Sequence, residues 1–131
     1  MKPIADTGLL VGFLDASDQH HPWAARCMAG LTTALTTCEA VIAETEYLVP
    51  GSGPLLMEMV ERGALLVAPL LPRDARHLAA TMGKYPKMQF ADACVVRLSE
   101  LLPQSVVYTT DKKDFSIYRR HGRETIKTVT P

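Results

Sequence analysis

Short apolar runs of strand length alternate with segments whose apolar residues recur at helical spacing. That alternation constrains this chain more than any other feature. Pro3-Ile4-Ala5 is a brief apolar run ending at Asp6-Thr7-Gly8, and Leu9, Leu10, Phe13 and Leu14 then follow at helical intervals. Pro22 opens a second helix with Trp23, Cys27, Met28 and Leu31 on one face. Ala34 to Cys38 has the threonines and alternation of a short strand, and Val41, Ile42, Thr45 and Leu48 form a helix stopped by Pro50-Gly51-Ser52. Ser52 or Gly53 starts the next helix, which ends at Gly63. Ala64 to Leu70 is a continuous apolar run that reads as a strand buried on both faces. A helix from Pro72-Arg73-Asp74 through Met82, a helix from about Phe90 to Leu102 and a strand from Ser105 to Thr110 follow. A short helix over Asp114 to His121 and a final strand over Thr125 to Thr130, with Ile126 and Val129 inward, complete the pattern. Strands separated by helices demand crossover connections, so the fold class is α/β with a central, largely parallel sheet of about five strands.

With 131 residues the chain fits a single domain, 1–131, large enough to bury a core without covalent staples. At 47% hydrophobic and 21% charged residues it is too apolar for a disordered chain. Fourteen basic and fourteen acidic side chains cancel, which argues mildly against bulk attraction as the means of holding nucleic acid but leaves room for a local basic face. The longest apolar stretch, Gly63 to Pro72, is about half a membrane span, and Asp6 interrupts the apolar N-terminus, so no membrane association is expected. Cys27, Cys38 and Cys94 are odd in number and far apart, with no CxxC pair, which reads as reduced core thiols in a cytoplasmic protein. Walker, GxGxxG and GxSxG motifs are absent, so nucleotide, dinucleotide and serine-hydrolase readings have no support.

The carboxylates carry the chemistry. In an open parallel sheet the working site lies outside the carboxyl ends of the strands. Asp6 directly follows the first strand and Asp111 directly follows the strand ending at Thr110. Glu44 and Asp92 interrupt the apolar stretches Ala40-Val41-Ile42-Ala43 and Phe90-Ala91-Asp92-Ala93-Cys94-Val95-Val96, where an unpaired acid is expensive to bury. Taken singly, Asp6 is also a helix cap, Asp111 a turn acid, Glu44 a partner for a basic residue and Asp92 a first-turn acid. Brought together, like charges ~4 Å apart repel by about 4 kcal/mol at an effective dielectric of 20, so such a cluster requires a cation or protons. An all-oxygen donor set favours Mg²⁺ or Mn²⁺, and that arrangement suits hydrolysis of a phosphodiester by an activated water.

Four short motifs, in order and at matching spacing, give the chain its resemblance to a family. Ala5-Asp6-Thr7-Gly8-Leu9-Leu10, Val41-Ile42-Ala43-Glu44-Thr45-Glu46-Tyr47-Leu48, Phe90-Ala91-Asp92-Ala93 and Tyr108-Thr109-Thr110-Asp111-Lys112-Lys113-Asp114-Phe115 resemble the motifs of PIN-domain proteins of the VapC type, toxin ribonucleases of toxin–antitoxin pairs. Asp18-Gln19-His20-His21 resembles the stretch that follows the first motif, and Gln89 departs from the pattern where relatives often carry an acid. The resemblance implies a three-layer α/β/α PIN-like domain and a Mg²⁺- or Mn²⁺-dependent endoribonuclease. It also implies a metal-holding catalytic cluster of Asp6, Glu44, Asp92 and Asp111, a homodimer, and neutralisation by a cognate antitoxin protein.

Around that cluster, Thr7 and Thr109 offer hydroxyls that orient a carboxylate or a water, and Asp114 is a further acid or the cap of the helix before Phe115. Lys112, Lys113, Arg119, Arg120 and Arg123 are candidates for contact with RNA phosphates, or else a solvated helix face or a contact for the antitoxin. A phosphoacceptor of receiver type also places acids after strands, but Thr7 and Gly8, not a second acid, follow Asp6. A catalytically silent PIN module that binds RNA or a partner protein is the alternative.

Overall fold

The computed structural model describes all residues, Met1–Pro131. Its elements run β1 (Lys2–Ala5), α1 (Thr7–Leu14), α2 (His21–Ala29), β2 (Leu35–Thr37), α3 (Glu39–Leu48), α4 (Gly53–Glu61) and β3 (Leu65–Val67). They continue through α5 (Ala75–Lys84), α6 (Phe90–Leu101), β4 (Ser105–Tyr108), α7 (Lys112–Ile117), β5 (Arg119–Arg120), β6 (Glu124–Thr125) and β7 (Thr128–Val129). Five strands form one sheet in the order β3-β2-β1-β4-β7, every pairing parallel, with helices flanking it as the α/β reading expects. From β1 the chain winds outward through β2 and β3, then returns to the other side of β1 for β4 and β7. The strand order therefore reverses between β1 and β4, where Ala5 pairs with Tyr108 and the Asp6 N–H donates to the Tyr108 carbonyl at 3.1 Å.

The core lies on both sides of the central strands. Ile4, Leu9, Leu10, Leu35, Val41, Val95, Val96 and Val107 are essentially inaccessible to solvent, each side chain contributing roughly 1.5–3 kcal/mol by burial. The most deeply placed helix is α6, with Ala91, Ala93 to Val96 and Leu98 to Glu100 all buried, and it packs against β1, β4, α3 and α5. Its outer end is fastened by a polar network. Arg97 Nε donates to Asp74 at 2.9 Å, Arg97 and His77 both reach Glu100, and the His121 N–H donates to Glu100 at 2.6 Å.

Three local expectations need correction. The Ala64 to Leu70 run contributes only Leu65–Val67 to the sheet, as an edge strand, and Leu66 is half exposed rather than buried. The helix expected over Asp114 to His121 starts earlier and stops earlier. Asp111 caps it by accepting the Asp114 N–H at 3.1 Å, so Asp114 lies in its first turn and does not cap it. Beyond Ile117 the chain makes an antiparallel hairpin, β5 with β6, turned by left-handed His121 (φ 50°) and Gly122 (φ 75°). The final strand is accordingly short, Thr128–Val129, and Ile126 is buried in the connection before it.

Candidate active site

The reversal of strand order opens a crevice at the carboxyl ends of β1 and β4, the place where open parallel sheets bind their ligands. Asp6 is the residue after β1 and the first turn of α1 begins at Thr7, so the backbone itself directs Asp6 into the crevice. Thr109, Thr110 and Asp111 leave β4 beside it. Glu44 enters from α3 and Asp92 from the first turn of α6. Asp6, Thr7, Glu44, Asp92, Asp111 and Asp114 all line one cavity of about 610 Å³, with Asp18, His20, Lys87 and Gln89 also on its wall. Only two of its fifteen lining residues are hydrophobic, so it is a site for a polar or charged ligand.

Thr109 ties the floor together. Its buried hydroxyl donates to Asp6 Oδ2 at 2.6 Å and accepts the Asp111 N–H at 2.9 Å, orienting one acid by its side chain and the other by its backbone. Asp92 is oriented by Tyr118, whose hydroxyl donates to Asp92 Oδ2 at 3.0 Å. Tyr118 is itself held edge-on by Phe115 and Tyr85, with ring centroids 5.2 and 5.1 Å away. Burial and the neighbouring Asp92 charge raise the Tyr118 phenol, which therefore stays protonated and donating.

The acids are electrostatically strained. Burial, reinforced by Asp92 and Glu44, raises Asp6 from 3.8 to about 6 even though the Thr109 hydrogen bond opposes it. Burial also raises Asp92, with Asp111 and Glu44 adding to the effect, and burial raises Asp111. None of the protein's ion pairs includes Asp6, Glu44, Asp92 or Asp111. The ion pairs that do form involve Glu58, Asp74, Glu100 and Glu124.

The donor set fits a hard divalent cation. The four acids offer only oxygens, none of them is in an ion pair, and the Thr7 hydroxyl beside Asp6 is buried without a hydrogen-bond partner. No three His, Cys, Asp or Glu side chains converge on a single point. Mutual repulsion spreads bare carboxylates, and Mg²⁺ commonly takes one or two of them and completes its shell with waters.

The five basic candidates divide. Lys112 and Lys113 in the first turn of α7 and Arg123 in the hairpin are exposed. Arg119 instead donates to the Ser116, Ile117 and Tyr118 carbonyls at the end of α7, and Arg120 donates to the Ser99 carbonyl and pairs with Glu124. Tyr118 and Lys87 are site residues that reasoning on the sequence missed. Tyr118 was absorbed into an expected helix, and Lys87 stands in the turn before α6, with Gln89 as its only neighbouring signal.

No protein-family model matches the sequence. Ribonuclease VapC26 of Mycobacterium tuberculosis is 27% identical over 126 residues, covering 91% of this chain and 93% of its relative. The crystal structure of Mycobacterium tuberculosis VapC20, described as a sarcin-ricin loop cleaving toxin, superposes with a TM-score of 0.75 at 16% identity. It covers 86% of this chain and 92% of that one, and at that identity the likeness concerns the fold. The chain is similar in sequence and in fold to VapC-type proteins. No helix is long and apolar enough to cross a membrane.

Proposed function

We propose that this chain is a metal-dependent endoribonuclease and the toxin of a toxin–antitoxin pair. The observation that carries the reading is the polar crevice at the β1/β4 reversal, where Asp6, Glu44, Asp92 and Asp111 line one space and none of them is in an ion pair. The similarity to a protein named a ribonuclease supports it.

In this reading Asp6, Asp92 and Asp111 hold Mg²⁺ or Mn²⁺, and Glu44 helps to hold it or accepts the proton of the attacking water. When bound, the ion supplies Lewis acidity that lowers the pKa of a water and offsets phosphate charge. The protein's own work is positional. Thr109 fixes Asp6 and Asp111 relative to each other, Tyr118 fixes Asp92, and the α7 cap holds Asp111. Lys112, Lys113 and Arg123 are placed to meet the phosphates of an approaching RNA strand, since backbone charge is neutralised by cations whatever the base sequence. Arg119 and Arg120 shape that wall more than they reach beyond it. Cytoplasmic action, a homodimer and a separate cognate antitoxin belong to the same proposal.

The test is incubation of the purified protein with total bacterial RNA and Mg²⁺ or Mn²⁺, beside Asp92→Asn, with the new RNA ends mapped. Discrete ends that need both the ion and Asp92 are expected. Equal cleavage by Asp92→Asn would remove these residues from the chemistry. A protein that binds the ion but makes no ends is the silent module instead.

A further inference from the structure

The formal charge of zero conceals two halves of opposite sign. Residues 1–70, which build β1 to β3 and α1 to α4, carry three basic and eight acidic side chains, a net charge of −5. Residues 71–131 carry eleven basic and six acidic side chains, a net charge of +5. The fold keeps the signs apart. In the order β3-β2-β1-β4-β7 the first three strands come from the acidic half and the last two from the basic half. The reversal that opens the crevice is therefore also a boundary of charge, and such asymmetry within one chain points to a polyelectrolyte partner.

Where the basic half meets the crevice, its cations are uncommitted. Lys87 is the only lysine or arginine among the fifteen residues lining the acidic cavity, and it shares that wall with six carboxylates. It is exposed and belongs to none of the protein's ion pairs. The turn that carries it, between α5 and α6, lies against the β5–β6 hairpin. The Tyr85 hydroxyl accepts the Arg119 N–H at 3.2 Å, and Lys84 Nζ stands 3.3 Å from the position a Cβ would take on Gly122. Arg123 comes next in the hairpin, and like Lys84 it is exposed and in no ion pair.

We propose that Lys87, Lys84 and Arg123 form a phosphate track, along which a single RNA strand leaves the crevice across the α5–α6 turn and over the β5–β6 hairpin. Lys87 makes the contact nearest the acids. Bare carboxylates repel a phosphodiester, and a chain without net charge does not draw one in from a distance. A row of uncommitted cations that begins on the crevice wall supplies the attraction locally, whatever the bases. The acidic half offers no such row. Its basic residues are Lys2 at the amino end of β1, Arg26 in the last turn of α2, and Arg62, which pairs with Glu58. The strand thus has one favourable side on which to leave. The track follows from the placement of charge, whereas the choice of RNA as its polyanion rests on the nuclease reading.

The experiment measures binding of short single-stranded RNA of random sequence to the purified full chain by fluorescence anisotropy, in EDTA so that nothing is cut, over a series of salt concentrations. Cleavage kinetics in Mg²⁺ follow on the same proteins. Each phosphate contact on a single strand contributes about 0.7 to the slope of log affinity against log salt. Lys87→Met should flatten that slope by about 0.7 and the double change Lys84→Met, Lys87→Met by about 1.4, while Lys2→Met leaves it unaltered. In cleavage, Lys87→Met should raise KM about tenfold, the worth of one charge-assisted contact, with kcat little changed. Melting temperatures should match the parent, since these side chains are exposed. No RNA binding by the parent in EDTA, or an unchanged slope in both lysine variants, would overturn the track. A face that holds polyglutamate as tightly as RNA through the same lysines would belong to an acidic protein partner and overturn the assignment to RNA. RNA held through Lys87 by a protein that cuts none in Mg²⁺ would keep the track and sink the nuclease reading. Cleavage by Lys87→Met with the parent's KM would do the reverse.

Discussion

Replacing Asp6 by Asn should make the metal-free protein more stable while disabling it, and the size of the gain is set by pH. Asp6 is buried, and its carboxyl ionises near 6 in the folded chain against 3.8 ordinarily. Because the folded value is raised, the favourable contribution of the protonated group is complete below 3.8 and is lost as pH rises through 6. Between those values the folded state holds a proton that the unfolded state has released, so stability falls with rising pH. Above about 7 both states are ionised and the penalty is complete. The rise from 3.8 to about 6 corresponds to about 3 kcal/mol, at about 1.4 kcal/mol per tenfold.

Asn has the same shape, stays neutral, and its amide oxygen still accepts the Thr109 hydroxyl that now lies 2.6 Å from Asp6 Oδ2. The assay is urea unfolding of both proteins in EDTA at steps from pH 4 to pH 8. The stability difference should be near zero at pH 4 and grow to about 3 kcal/mol in favour of the variant at pH 8. Adding Mg²⁺ should close the gap from the other side, since an ion that binds the folded parent stabilises it by mass action. A difference that does not change with pH, or a variant less stable throughout, would refute the claim that Asp6 is held against its electrostatic preference.

Three further perturbations probe the supports of the site. Tyr118→Phe keeps the aromatic packing but removes the donor to Asp92; cleavage and Mn²⁺ affinity should fall about 10- to 100-fold with little change in melting temperature, and unchanged kinetics would show that Asp92 needs no such support. Gly8→Ala would ordinarily favour a helix, but its Cβ would collide with the Thr110 side chain, so a loss of about 1–3 kcal/mol is expected in urea unfolding and a gain would contradict the packing. Arg97→Met leaves Asp74 and Glu100 buried without their main cation, and chemical unfolding at pH 7 should show a loss of about 3 kcal/mol. Hydrogen bonds from Arg97 and Arg73 outweigh burial and hold Asp74 below its ordinary value. That loss should therefore shrink as pH falls through the folded pKa, where the parent also forfeits the pair; a loss constant down to pH 3 would contradict the assignment.

What the sequence displays and what it hides follow from how local each feature is. The parallel sheet is legible because a crossover imposes its own rhythm, strand then helix, and Asp6 and Asp111 are legible because they directly follow strands. Glu44 and Asp92 stand out because an acid inside an apolar helix needs a reason, and the reason is the crevice both helices face. An apolar run such as Ala64 to Leu70 says only that something buries it. Whether it lies in the centre or at the edge depends on strand order, which no window of sequence contains, and Leu66 is half exposed as a result. The helix before Tyr118 was mistaken for a longer one because the left-handed turn at His121-Gly122 comes without an Asn-Gly or Pro signal. That misreading also hid Tyr118, whose role depends on ending the helix early enough to point back at Asp92. Tyr118 and Asp92 look unrelated along the chain and meet only through tertiary packing. Pairs made by tertiary contact are the class of feature that sequence periodicity cannot express. The acid cluster lies between these extremes: its members are visible one at a time, but the strain on Asp6 comes from burial in the folded domain, reinforced by Asp92 and Glu44. Folding alone would select against that convergence, so its presence in a well-packed domain is itself an argument that the crevice serves a ligand carrying positive charge.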